Sequence, residues 1–368
     1  MRRLVMGLML MAGVGASAMK PKPELPSGKV GVAVRVFHPK EARDWRGAET
    51  KELRVRVWYP AVGTAVETQQ FEGPPGRGLF EAGAAAVNAE MAPALSGYPL
   101  IMLSHGTGGS ALQMAWLGTA LARAGFVAAA VDHPGNNSNE AYTPAGFLLL
   151  WERATDLSNV IDGMLADAEF GKRIDASRIG AAGFSLGGYT VLELAGARTD
   201  LSQYFDICRA RPENPACQVP EMKGMGSMQQ VLEAVRKTDG VSLARSAESY
   251  RDVRVKAAFA ISPPAREVLT EESLHELRVA VEVVAGADDP IIPPADSVEY
   301  LRQYARGMRG FVLPGGVEHY TFLDTCTAAG REILPRLCTD KPGVDRNAVH
   351  AQVAGMAAEF FVKALQMR

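Results

Sequence analysis

The sequence has no long run of charge of either sign. Its 39 Lys+Arg and 41 Asp+Glu leave a formal net charge of −2. A nucleic-acid partner leaves a basic footprint, so none is expected here. There is no fixed-period repeat and no long low-complexity tract, which removes repeat architectures from consideration. The one strongly apolar stretch near the start, from Leu4 to about Ala12, is shorter than the roughly 20 residues a spanning helix needs, so stable membrane insertion is not expected. Cysteine is scarce, at four residues, and no pair has zinc-type spacing with nearby histidines, so no metal site is expected. The Gly-rich "HGTGG" lacks the Gly-Lys-Ser/Thr ending of a phosphate loop, which discounts nucleotide binding. Histidine is scarce too, at six residues, which narrows the search for a general base.

What is present is ordinary globular material, 47% hydrophobic and 22% charged, in a chain of 368 residues that can bury a substantial core. The beginning, "MRRLVMGLMLMAGVGASAMKPKPELP", has a basic start, an apolar run and the small-residue site Ala16-Ser17-Ala18. That is the layout of a signal peptide over residues 1–18, leaving 19–368 as an exported protein, periplasmic or extracellular. In an oxidising compartment the cysteines are expected to be disulfide-bonded. Four cysteines allow three connectivities, and the sequence-local one, Cys208–Cys217 with Cys326–Cys338, is favoured because short loops close easily.

The stretches "VGVAVRVF" (30–37) and "LRVRVWY" (53–59) alternate as half-buried antiparallel strands do. "PLIMLS" (99–104), "FVAAAV" (126–131), "IGAAGF" (179–184), "VKAAFAI" (255–261) and "VAVEVVAG" (279–286) are instead nearly continuous apolar runs, suited to a parallel sheet covered on both faces. "RGFVLP" (309–314) completes an expected eight strands. Helices are expected over about 110–124, 151–170, 186–197, 294–306 and 347–365, and a short helix beside a loop within "FEAGAAAVNAEMAPALS" (80–96). The fold class is α/β: a mostly parallel, doubly wound sheet in a single domain, with a helical insertion (cap) at about 199–254 placed over the carboxyl ends of the strands.

In "AAGFSLGGYT", Ser185 stands between glycines where a strand turns into a helix, the context of an exposed nucleophile. A serine hydroxyl needs a neighbouring base. His319, in "LPGGVEHYTFLD", follows the last expected strand on a Gly-rich loop; His105 and His133 also lie at strand ends, and geometry alone leaves them open. An orienting acid is expected from "VVAGADDPIIPP", where Asp288 and Asp289 are both candidates and one of the two caps the following turn. The glycines of "LSHGTGGS" leave backbone N–H groups facing a ligand, and the amides of Thr107 and Leu186 are the expected oxyanion donors. The order Ser…Asp…His, each at a strand end, makes Ser185 the expected nucleophile.

With these parts in place the chain resembles an α/β-hydrolase from about Val30 onward. "LSHGTGG", "AAVDHPGN", "GFSLGG", "GADDPIIP", "VEHYTFLD" and "CTDKPGVDR" resemble exported bacterial proteins labelled predicted dienelactone hydrolases, which are similar to platelet-activating-factor acetylhydrolase-like serine esterases. The resemblance selects Asp289 as the acid and implies His319 as the base and Thr107 and Leu186 as the oxyanion donors. The chain departs from true dienelactone hydrolases in carrying serine rather than cysteine as nucleophile, and from acetylhydrolase-type elbows in carrying Phe184 before it. The implied activity is hydrolysis of a small-molecule or lipid-like carboxylic ester through an acyl-enzyme, with no cofactor. A lipase, a phospholipase A2-like enzyme or a polyester hydrolase would use the same mechanism; a non-catalytic ligand-binding protein on the same fold would be expected had a triad member been missing.

Overall fold

A computed structural model describes residues 28–366 except 42 and 95. The expected signal peptide lies outside the described residues. The strands are β1 (Val30–Phe37), β2 (Leu53–Pro60), β3 (Thr68–Glu72), β4 (Phe80–Val87), β5 (Tyr98–Ser104), β6 (Val127–Val131), β7 (Ile174–Phe184), β8 (Val255–Ile261), β9 (Ala280–Gly286), β10 (Arg309–Leu313) and β11 (Thr325–Cys326). The helices are α1 (Ala115–Arg123), α2 (Pro144–Leu148), α3 (Glu152–Ala166), α4 (Leu186–Ala195), α5 (Leu201–Ala210), α6 (Met228–Thr238), α7 (Gly240–Ala244), α8 (Glu271–His275), α9 (Val298–Tyr304), α10 (Ala328–Ile333), α11 (Pro335–Cys338) and α12 (Arg346–Gln366). No helix among the described residues is long and apolar enough to cross a membrane.

The strands join in the order β10-β9-β8-β7-β5-β6-β2-β1-β4-β11, with β3 on β4. From β6 through β5, β7, β8 and β9 to β10 the pairing is parallel, while β2 meets both β1 and β6 antiparallel. The continuous apolar runs have a direct cause: both faces of the sheet are covered. Along β5, Leu100 and Met102 enter the core under α3 and α4, while Ile101 and Leu103 enter the core under α1 and α12. The order reverses at β5, since β6 lies on one side of it and β7 on the other. A crevice opens outside the carboxyl ends of the strands at such a point.

Two expectations need correction. The stretch 80–87 is strand β4, not a helix; it pairs parallel with β1 and antiparallel with β3 and β11. An Ala/Gly run carries no period of its own, so strand pairing decides its conformation. Among the described residues the sheet therefore has 11 strands rather than eight, the extra ones being β3, β4 and β11 at one side. Between Thr199 and Arg254 the chain forms α5, α6 and α7 with two short 3₁₀ turns and no strand, and α6 sets Val231 and Val235 against Leu148, Leu149 and Trp151. Cys208 is bonded to Cys217 and Cys326 to Cys338.

Helix α4 is buried along its whole length, and that includes the carboxyl group of Glu193. Thr199 donates to one carboxyl oxygen, and the other is buried with no partner among the described residues. Burial pushes this carboxyl from 4.5 up to about 8. A raised carboxyl contributes its stability fully below 4.5 and loses it as the pH rises toward 8. The melting-temperature difference between Glu193→Gln and wild type is therefore expected to be flat below pH 4.5 and to move in favour of the variant up to pH 8. A difference independent of pH across that window would contradict this.

Candidate active site

Strand β7 runs directly into α4 at Ser185, whose backbone sits at φ 54 and ψ −122. A non-glycine residue in that region is strained and must be held by its surroundings. Here the Ser185 N–H donates to the Ile261 carbonyl of β8 at 2.8 Å. The two flanking glycines are required by close approach. A Cβ on Gly187 would stand 1.9 Å from the Ser104 carbonyl oxygen, and one on Gly183 would stand 2.1 Å from the Gly187 oxygen. The Ser185 side chain makes no capping bond to its own helix, which leaves Oγ free.

That Oγ lies 2.9 Å from His319 Nε2, and His319 Nδ1 lies 2.7 Å from Asp289 Oδ2. The carboxylate faces Nδ1, so Nδ1 carries the proton and Nε2 is the acceptor for the serine hydroxyl. Asp289 Oδ1 accepts the N–H groups of Ile291 and Ile292 at 2.9 and 2.8 Å. One carboxylate thus caps the turn and holds the imidazole, whereas the sequence divides these tasks between two residues. Asp288 points elsewhere, to Lys341 Nζ at 3.0 Å near the surface. The same lysine reaches Glu318 at 3.2 Å, so it ties the acid loop to the histidine loop.

The histidine loop is held from several sides. Phe184 packs against the His319 ring at 4.8 Å between centroids. His350 of α12, stacked on Trp116, donates to the Thr321 carbonyl at 3.0 Å. Arg346 donates to the carbonyl oxygens of Asp324 and Leu337, binding both ends of the segment closed by Cys326–Cys338.

Ser185, His319, Thr107 and Leu186 all line one cavity of about 800 Å³. The stretch 215–222 of the insertion forms one wall, and Leu334, Arg336 and Leu337 of the disulfide-closed segment form another. Met222 and Met228 of the insertion are among the lining residues, and their unbranched side chains give the wall an adaptable apolar surface. Burial pushes the lining carboxyls Glu72 and Glu267 up to about 7 each. Among the described residues neither the Thr107 nor the Leu186 amide donates to a protein acceptor.

His105 and His133 are not part of this arrangement; both are fully buried and neither lines the cavity. His133 belongs to a second Ser-His-Asp chain that sequence reasoning missed. Its Nε2 lies 2.9 Å from Ser104 Oγ and its Nδ1 2.7 Å from Asp156 Oδ2, the same distances as in the first chain. The two differ in access. Ser104, His133 and Asp156 are 0% exposed, whereas Ser185 is 8% exposed at the cavity. Burial and the neighbouring Arg153 pull His133 down to about 3, so its imidazole is neutral and Nε2 accepts from the Ser104 hydroxyl. Burial opposes ionisation of Asp156, but Arg46, Arg43 and His133 outweigh it and hold the carboxyl below its usual range.

Known proteins resemble this chain in fold and, over part of its length, in sequence. A family model, Platelet-activating factor acetylhydrolase, isoform II, matches residues 78–145. The ferulic acid esterase from Streptomyces cinnamoneus superposes with a TM-score of 0.60 at 20% identity, covering 95% of this chain and 93% of that one. The chain has the α/β-hydrolase fold. Within this fold, sequence similarity is concentrated in part of the chain. Over 106 residues it is 38% identical to Cutinase est1 of Thermobifida alba, 28% of this chain and 32% of the cutinase. Over 84 residues it is 37% identical to Lipase 1 of Moraxella sp. (strain TA144), 23% of each. The chain thus spans about a third or less of the length of these hydrolase relatives.

The close approach at the elbow generates a stability test. Gly187→Ala is expected to lower the melting temperature by several degrees, because the opposing Ser104 carbonyl is backbone and cannot rotate away. Gly355→Ala, on α12 with nothing within 4 Å of the added Cβ, is expected to raise it slightly. Equal melting temperatures for the two variants would contradict the packing described.

Proposed function

We propose that this protein is an exported serine hydrolase that cleaves carboxylic esters through an acyl-enzyme. The observation that carries this reading is the hydrogen-bonded chain Asp289–His319–Ser185 ending at a cavity. Ser185 Oγ attacks the ester carbonyl carbon while its proton passes to His319 Nε2. Asp289 stabilises the resulting imidazolium and keeps Nε2 aimed at the serine. The carbonyl oxygen, now negative, is received by the Thr107 and Leu186 amides, which lack competing protein acceptors. Collapse expels the alcohol, which takes the proton from His319. Water then enters and gives a proton to Nε2 as its oxygen attacks the acyl carbon; collapse breaks the bond to Oγ, which takes the proton back from His319, and the acid is released.

The N-terminal layout and the two disulfides support export to the periplasm or the extracellular medium. The cavity favours a substrate with a bulky apolar group over a bare acetate. At about 800 Å³, with leucines, isoleucines and methionines from several segments on its walls, it has room for a lipid-like chain or a segment of a polyester.

Steady-state kinetics on p-nitrophenyl esters of graded chain length tests this reading. Ser185→Ala is expected to lose on the order of 10⁴-fold or more in kcat with the fold unchanged. Asp289→Asn is expected to lose on the order of 10²- to 10⁴-fold, because the amide favours the wrong imidazole tautomer. Asp288→Asn should keep most of the activity, since Asp288 contacts a surface lysine rather than the imidazole. A Ser185→Ala variant retaining a tenth of wild-type turnover would sink the proposal, and wild-type activity in Asp289→Asn would reassign the acid.

A further inference from the structure

The two amides assigned to the oxyanion come from different elements. Thr107 belongs to the loop after β5 and Leu186 to the first turn of α4. Donors separated in this way act together only if something fixes the distance between their backbones, because misplacement by about 1 Å costs on the order of 10²-fold in rate.

Arg153 of α3 lies between them, 0% exposed, and its guanidinium reaches both sides. On the loop side Nη2 donates to the His105 carbonyl and, at 3.3 Å, to Ser104 Oγ. Nη1 lies 3.4 Å from Asn136 Oδ1, which also accepts the Gly108 N–H at 2.8 Å. The residues on both sides of Thr107 are therefore tied to one guanidinium. On the elbow side Nε donates to Thr190 Oγ1 at 3.1 Å, and the Thr190 hydroxyl donates to the Leu186 carbonyl at 2.8 Å.

The buried Ser-His-Asp chain supports this bracket. His133 Nε2 accepts the hydrogen bond of the Ser104 hydroxyl, which leaves the Ser104 oxygen lone pairs for Arg153. Asp156 fixes the His133 tautomer and supplies negative charge close to the guanidinium. None of these three side chains lines the cavity, so the chain has no access to a substrate.

Resting on the ester-hydrolase reading above, we infer that Arg153, backed by Ser104, His133 and Asp156, is a positioning residue that sets the spacing of the two oxyanion amides. A planar fork with donors on three nitrogens can hold both sides at once, and a lysine ammonium cannot span the same set of acceptors.

Three variants test the inference: Arg153→Lys, Thr190→Val and Thr190→Ser. The readouts are kcat and KM on p-nitrophenyl butyrate, Ki for a trifluoromethyl ketone that adds to the serine as an oxyanion, and melting temperature. Arg153→Lys should lower kcat on the order of 10²-fold with KM little changed, and raise the ketone Ki by a similar factor. Thr190→Val keeps the buried charge and breaks only the elbow arm; a loss of about tenfold in both quantities is expected. Thr190→Ser keeps the hydroxyl and should restore most of that loss. If Thr190→Val and Thr190→Ser both lower the melting temperature yet keep wild-type kcat and ketone Ki, the positioning role is wrong and Arg153 only stabilises the fold. If the wild type itself hydrolyses no ester and binds no ketone, the ester-hydrolase reading fails, and this inference with it.

Discussion

The site depends on one backbone crossing. The turn from β7 into α4 passes so close to the end of β5 that a single added carbon on Gly187 would meet the Ser104 carbonyl at 1.9 Å. That crossing sets Ser185 at an unusual φ, turns its Oγ away from its own helix, and brings the first amide of α4 beside the loop that follows β5. The histidine and acid loops need only reach this point from β9 and β10, which pair in parallel beside β8. The wide parallel sheet is what makes the crossing rigid, since both of its faces are buried.

Two Ser-His-Asp chains of equal hydrogen-bond length lie within the same fold, and their distances do not tell them apart. Access to the cavity does. Ser185 opens on the cavity beside the Thr107 and Leu186 amides, the arrangement the proposed ester chemistry uses. At Ser104 the hydroxyl is sealed among Arg153, His133 and the backbone, and the same polar groups meet no cavity; they satisfy one another in the interior and hold Arg153 in place. Arg153 connects the sealed chain to Thr190 of the elbow helix, whose hydroxyl holds the Leu186 carbonyl.

Much of this was legible in the sequence, for identifiable reasons. The eight expected strands are all present: burial on both faces writes a continuous apolar run in five of them, and β1 and β2 show themselves by alternation. Strand β3, "TQQFE", is polar and mostly exposed, and β4 is an Ala/Gly run, so neither carries a periodic signal. Ser185 stood out because it follows an apolar run between glycines; the loops left Asp288 open beside Asp289, and His105 and His133 beside His319, and the family resemblance pointed to Asp289 and His319, which meet Ser185 in the structure. What stayed hidden was the charge in the interior. Glu152, Arg153 and Asp156 fall within five consecutive residues of α3, where charged side chains are usually solvated, yet all three are buried. Nor does the sequence say that one aspartate both caps a turn and orients a histidine, because that depends on which way the loop bends.

The central claim is that Ser185 is the activated nucleophile of this cavity. The most direct measurement is stoichiometric reaction with a fluorophosphonate, followed by peptide mass spectrometry to locate the adduct. A single adduct on the peptide carrying Ser185, absent after prior denaturation and absent in Ser185→Ala, is the predicted result. An unlabelled native protein, or an adduct on Ser104 or any other serine with Ser185 unmodified, would contradict the account.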